Sequence, residues 1–109
     1  MTGLGYSIEP RDVPPVDTPY RKICTQIPVP ESLPLLRRLR GVEARSLHWQ
    51  APIFWDHADG ISIFDKYGNK WLDMSCGIVV TNIGHSRGKV VEAICQQAKH
   101  GLLYNFTFP

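Results

Sequence analysis

Hydrophobic and polar positions divide the chain into stretches of different period. Over residues 32–40, "SLPLLRRLR", Leu35, Leu36 and Leu39 recur at helical spacing among Arg37, Arg38 and Arg40. Ser32 stands where a cap belongs, Pro34 falls in the first turn where its missing N–H is no loss, and Gly41 follows the last turn; together they predict a short helix. Its arginines read as a solvated face whose charges suit a helix C-terminus. Beyond it the period shortens. "APIFWD" (51–56), "ISIFD" (61–65) and "KWLDM" (70–74) are apolar-rich runs separated by Asp59-Gly60 and by Lys66-Tyr67-Gly68-Asn69, which carry turn chemistry. Residues 51–74 therefore predict a small antiparallel meander, with Ile61 and Ile63 on its more buried face and Trp55 in the core.

The stretch "WLDMSCGIVVTNIGH" (71–85) follows, and its apolar run reads by composition as a buried strand with an unusual Asn-Ile-Gly-His ending. Ser86 is placed to cap a second helix reaching about His100, and Gly101 supplies the stop. Val90, Val91, Ile94, Cys95 and Ala98 form its apolar stripe, on which Cys95 reads as a small buried hydrophobe rather than a nucleophile. The tail "LLYNFTFP" (102–109) is apolar, so the sequence reads as one that continues, or whose tail lies against a partner.

Seven of the nine prolines lie within the first 34 residues. Each removes a backbone donor and pushes its predecessor toward extended conformations, so residues 1–30 read as an irregular arm that is ordered only if something else ties it down. Gly3-Leu4-Gly5 follows no strand and opens no helix, which argues against a phosphate loop.

Composition narrows the classes. The chain is 43% hydrophobic and 20% charged, as soluble globular proteins are. Its net charge of +2 lies before residue 46; the remainder is balanced, which gives no electrostatic reason to expect nucleic acid or an anionic membrane. No apolar run approaches the ~20 residues that span a bilayer, and no signal-peptide pattern opens the chain. Cys24, Cys76 and Cys95 are odd in number and widely spaced, so neither a disulfide scaffold nor a thiolate zinc site is expected, and the reading is of a reduced, cytoplasmic protein. Asn105-Phe106-Thr107 fits a glycosylation sequon but carries little meaning without secretion.

The residues present make no complete catalytic set. His48, His57, His85 and His100 have no helical i, i+4 partner for a metal, and no Gly-x-Ser-x-Gly elbow occurs. Asp56, Asp65 and Asp73 each adjoin a turn or strand end, where Asp serves local hydrogen bonding. Lys22, Lys66, Lys70, Lys89 and Lys99 lie in the arm, at a turn or near helix ends, none with the signature of a desolvated, imine-forming lysine. His85 reads as a turn-holding residue rather than a proton carrier.

The ordered series strand, Ala-x-Gly, strand ending in Asp, x-x-Gly, Leu-Asp, small-residue run, Asn-x-Gly-His and helix resembles the N-terminal part of class-III aminotransferases over residues 51–103. These include the 4-aminobutyrate, ornithine and ω-amino acid enzymes, and "IPVPESLPLL" resembles one branch of them. Many members carry proline shortly after Gly-His, where this chain has Arg87-Gly88-Lys89. The resemblance implies an α+β segment (Pro-rich arm, short helix, antiparallel meander, longer helix) of the α/β fold-type-I architecture. Residues 1–30 would be its N-terminal arm and 31–109 the first part of its small domain, with the cofactor domain beyond a truncation.

The implied activity moves an amino group from an amine or ω-amino acid to a 2-oxo acid through pyridoxal 5'-phosphate, in a homodimer, with no nucleic acid or membrane partner. In the family the Schiff-base lysine, the aspartate under the pyridine nitrogen and the phosphate loop lie outside the matched segment, so no catalytic or cofactor residue is assigned and the isolated chain is expected to be inactive. By position, Gly77, Ile78 and Val79 would line the substrate side near the dimer interface, and His48 or Trp49 would reach the substrate. Glycine permits close approach and the two aliphatic side chains would form an apolar wall. Two alternatives stand beside this reading: an aminomutase-type isomerase of the same fold, and a non-enzymatic module that dimerises through its apolar tail.

Overall fold

The computed structural model describes residues 5–101; Gly3, the 102–109 tail and the Asn105 sequon lie outside them. The arm is not irregular throughout. Val16–Asp17 (β1) and Lys22–Ile23 (β2) form a hairpin, followed by a short 3-10 turn, Pro30–Ser32, and the helix Leu33–Arg40 (α1). His57–Asp59 (β3), Ser62–Phe64 (β4) and Lys70–Leu72 (β5) make the meander. A single four-residue turn, Cys76–Val79 (α2), precedes the long helix Gly88–His100 (α3). The five strands form one antiparallel sheet in the order β1-β2-β5-β4-β3.

The arm is joined to the meander by Lys22, which pairs with Lys70, and by a buried polar hub. Asn69 is fully buried, and every polar group of it has a partner. Its Oδ1 accepts the Cys24 backbone N–H at 2.8 Å, and its Nδ2 donates to Thr25 Oγ1 at 2.8 Å and Asp65 Oδ2 at 2.7 Å. Asp65 Oδ1 in turn accepts the backbone N–H of Tyr67 and Asn69, closing the β4–β5 turn. A buried amide is tolerated only when satisfied in this way. Lys70 Nζ adds a bond to the Pro19 carbonyl at 2.7 Å.

The first strand expected, 51–56, does not form: the Ile53 N–H folds back to the Ala51 carbonyl and Pro52 has no N–H. Pairing begins instead at Asp56, whose N–H reaches the Phe64 carbonyl, and runs from His57 to Asp59. The register places Asp59 opposite Ser62, so Gly60-Ile61 is the two-residue turn and Ile61 is exposed at its tip rather than buried. His57 stacks on its cross-strand partner Phe64, ring centroids 4.5 Å apart. β5 ends at Leu72 because Asp73 turns the chain.

Helix α1 lies where the sequence predicts, but Ser32 does not cap it; its hydroxyl donates to the Val29 carbonyl at 2.7 Å. Of the expected leucine stripe, Leu36 alone is buried. Arg40 does not face solvent: its Nη2 donates to the Tyr6 and His48 carbonyls at 2.8 and 3.3 Å, and its Nε lies 3.5 Å from Glu43 Oε1. Helix α3 begins after Arg87 rather than at Ser86, whose hydroxyl is taken by the Ala58 carbonyl at 2.6 Å. Gly101 ends it in the left-handed conformation expected of a stop. None of its residues is buried, so Val90, Val91, Ile94 and Cys95 are an exposed stripe and Cys95 is not core.

The buried apolar set among the described residues is Ile23, Val29 and Leu36, and Trp55, expected inside, is half exposed against the edge of Trp71. The radius of gyration is 17.4 Å, against ~13 Å for a compact domain of this length. The elements are held by hydrogen bonds and sheet pairing, and their apolar faces are open.

Candidate functional site: a clasped apolar loop

Leu72 ends β5, and the next residue organises everything that follows. Asp73 Oδ1 accepts three hydrogen bonds, from the Ser75 N–H, the Ser75 hydroxyl and the Cys76 N–H, each at 2.9 Å. That is an Asp-initiated turn, in which a short carboxylate satisfies donors that a strand would have left pointing elsewhere. Its second oxygen, Oδ2, lies 2.7 Å from His85 Nε2. An ionised carboxylate only accepts, so His85 carries its proton on Nε2.

The Asp73 side chain is 4% exposed. The His85 hydrogen bond holds its carboxyl down at about 2, against an ordinary 3.8; burial opposes this, and the Ser75 and Cys76 bonds reinforce it.

Asp73 and His85 therefore close a loop, residues 74–84, whose two stems dock on one place. The Asp73 N–H donates to the Ile61 carbonyl at 2.9 Å, while His85 exchanges both backbone bonds with Gly60, at 3.2 and 2.7 Å. The tip of the β3–β4 hairpin thus seats both ends. Gly84 has φ +91°, and a Cβ there would lie 3.0 Å from the Gly60 carbonyl. The Asn-Ile-Gly-His ending is explained: glycine permits the close approach and histidine supplies the clasp.

The apolar run between the stems is not a strand. Cys76, Gly77, Ile78 and Val79 have φ of 50°, 60°, 59° and 67°, one turn of left-handed helix. The Val79 N–H donates to the Ser75 carbonyl at 3.1 Å, and the Val80 and Thr81 N–H groups to Cys76 at 2.8 and 2.9 Å. Left-handed backbone costs a residue with a Cβ ~1–2 kcal/mol, so Cys76, Ile78 and Val79 together store on the order of 3–6 kcal/mol. Composition pointed to a strand because β-branched residues favour one; the Asp73 turn overrides that preference. Ile78 is 87% exposed and Val79 70% exposed, so burial within the described residues does not offset the strain. Strain of this kind persists where surroundings over-determine it, and it clusters at functional sites.

The other expected substrate contacts lie elsewhere. His48 and Trp49 belong to a 3-10 turn, Arg45–Trp49, after α1. His48 is half-buried: its carbonyl accepts the Tyr6 N–H and an Arg40 N–H, and its Nε2 stands 3.5 Å from Glu43 Oε1, outside hydrogen-bond geometry. Gly5 packs on this turn, where its Cβ would collide with the His48 backbone. Trp49 is exposed. Among the described residues no hydrogen bond or ion pair joins His48 or Trp49 to Gly77, Ile78 or Val79. An open cavity of about 320 Å³ lies beside the turn, walled by Leu36, Leu39, Leu47, Ile53, Phe54 and Trp55 among others. The local hydrogen bonding expected of Asp73 at a strand end is what its Oδ1 provides, and His85 holds a turn as expected; their pairing across twelve residues carries no local sequence signal.

Residues 44–109 match the family model for aminotransferase class-III, which is more than half of the chain, and the chain belongs to that family. It is 40% identical over 77 residues to the 4-aminobutyrate aminotransferase of Mycobacterium leprae (strain TN), covering 71% of this chain and 17% of that protein. It is 42% identical over 48 residues to the acetylornithine aminotransferase of Methanothermobacter thermautotrophicus, covering 44% and 12%. It is also 41% identical over 49 residues to the isoleucine 2-epimerase of Lentilactobacillus buchneri, covering 45% and 11%. The chain thus spans less than a fifth of the length of each of these relatives.

The described residues do not fit pyridoxal phosphate. A cofactor imine needs a desolvated lysine, whereas Lys22, Lys66, Lys89 and Lys99 are exposed and Lys70 is half-buried with its Nζ bonded to the Pro19 carbonyl. No group of three His, Cys, Asp or Glu among the described residues is arranged to hold a metal, and no helix among them is long and apolar enough to cross a membrane.

Proposed function

We propose that this chain is the N-terminal, substrate-side part of a pyridoxal-phosphate-dependent transaminase of the fold-type-I architecture. The enzyme moves an amino group from an amine or ω-amino acid to a 2-oxo acid, as a cytoplasmic homodimer. Residues 1–30 are its N-terminal arm and 31–109 the first part of its small domain. The observation that carries the reading is the clasped loop itself. In a chain of this family, Asp73 and His85 hold a strained turn that presents Ile78 and Val79 outward with no polar group of their own.

An apolar wall of that kind accepts the hydrocarbon part of an amine while leaving its chemistry to groups outside this segment. Gly77, directly before the two side chains, lets the substrate approach the backbone. His48 and Trp49 take part only if other segments bring their turn to the loop. Residues 1–109 alone transfer no amino group, since none of their described lysines is desolvated.

One relative favours a second reading. The epimerase acts as an isomerase by its name, so an isomerase built on the same segment is the runner-up, ahead of a non-enzymatic dimerising module. The test expresses the protein from its native gene beside residues 1–109 and assays both on a panel of amines and ω-amino acids. Product formation that requires a 2-oxo acid supports the transaminase. Turnover without one supports the isomerase, and turnover by residues 1–109 alone overturns the assignment of this chain as a non-reacting part.

A further inference from the structure

The turn that carries Ile78 and Val79 is the least favourable piece of backbone among the described residues, and it is exposed on the side where apolar cover would be needed. What holds it must therefore be polar and must act at its ends. Two groups do so. Asp73 Oδ1 takes the donors of Ser75 and Cys76, the residues that enter the turn, and Asp73 Oδ2 meets His85 Nε2 at the exit of the loop. Both residues are also fixed by backbone bonds to Ile61 and Gly60, so the clasp is referred to the sheet and not only to itself.

Resting on the reading of this loop as a substrate wall, we propose that Asp73 and His85 are positioning residues: their side-chain bond keeps Cys76–Val79 left-handed and so sets how far Ile78 and Val79 reach toward the amino donor. Neither touches substrate. His85 is unavailable as a proton carrier through Nε2, because Asp73 occupies that nitrogen and Thr81 Oγ1 stands 3.5 Å from it. Releasing the clasp lets the turn relax toward right-handed or extended backbone, which swings both side chains away while the sheet remains.

Exchange and kinetics test this together. In residues 1–109, hydrogen exchange at the Ser75 and Cys76 amides is compared for the unmodified chain, His85→Ala, Asp73→Asn and His85→Gln, with the β4–β5 amides as the folding reference. His85→Ala speeds exchange at the two amides about tenfold, the loss expected for one charge-assisted bond. His85→Gln, whose amide N–H reaches toward the same oxygen, restores most of the protection. In the active protein from the native gene, His85→Ala raises KM for the amino donor several-fold with kcat little changed, and His85→Gln recovers it.

Unchanged exchange in both His85→Ala and Asp73→Asn overturns the clasp, as does an unmodified chain that shows no protection at the two amides. If His85→Ala unfolds the chain, Asp73→Asn and His85→Gln decide by the same readout. Ile78→Ala separates the two claims. A KM unmoved by Ile78→Ala sinks the substrate wall whatever the exchange shows, whereas a KM moved by Ile78→Ala but not by His85→Ala sinks the positioning role alone.

Discussion

The Asn69 side chain accepts the backbone N–H of Cys24 at 2.8 Å, joining residues 45 positions apart in the chain. This bond and those to Thr25 and Asp65 anchor the proline-rich arm to the meander, in a structure with three buried apolar side chains among the described residues. Asn69→Ala removes the side-chain donor to Asp65 Oδ2 and leaves the Cys24 N–H without its acceptor. The expected loss is about 2–4 kcal/mol of stability, read as a lower denaturant midpoint, and exchange in the arm rises before exchange in the β3–β4 hairpin.

Ile78 is β-branched, left-handed and exposed. Asparagine tolerates that backbone far better, so Ile78→Asn stabilises the chain by about 1 kcal/mol, a gain set by the relief of left-handed strain. Thermal melts of residues 1–109 check the sign. In the active protein the same change weakens binding of an apolar amino donor, so stability rises as affinity falls.

Gly84→Ala has the opposite outcome. The φ of +91° and the 3.0 Å approach to the Gly60 carbonyl both disfavour a Cβ. A loss of about 1–2 kcal/mol is expected from the backbone conformation, together with weaker His85–Gly60 pairing visible as faster exchange of the His85 amide.

Asp73 sets an acid limit. Folding lowers its carboxyl from 3.8 to about 2, so the unfolded chain binds this proton more tightly than the folded one. The stabilisation is complete above about pH 4 and is lost as the pH falls through about 2. Asp73→Asn removes that dependence: the stability gap between it and the unmodified chain is widest at neutral pH and closes between about pH 4 and 2. Equal gaps at pH 6 and pH 2 count against the clasp.

Much was legible in the chain itself. Periodicity and punctuation located α1, the β4–β5 pair and the end of α3, because leucine spacing, turn residues and a terminal glycine act locally. The antiparallel meander and the family membership followed from the ordered series of motifs. Three things misled. Pro52 and the Gly60-Ile61 turn moved the first strand from 51–56 to 57–59. The stripe on α3 reads as core by spacing, yet burial depends on what a face meets. Gly77–Val80 reads as a strand by residue preference, but Asp73 and His85 clasp a loop in which Cys76–Val79 is left-handed.

The sequence by itself determined the local elements and the family, since both depend on neighbours along the chain and on the order of short motifs. The tertiary structure alone decided that the arm is seated on Asn69, that the His48 carbonyl is held by Tyr6 and Arg40, and that Ile78 and Val79 are exposed. The physical reason is common to all three. Each depends on a hydrogen bond or a close approach between residues distant in sequence, such as Cys24 with Asn69, Tyr6 with His48, or Asp73 with His85, and no local preference encodes the distance between such partners.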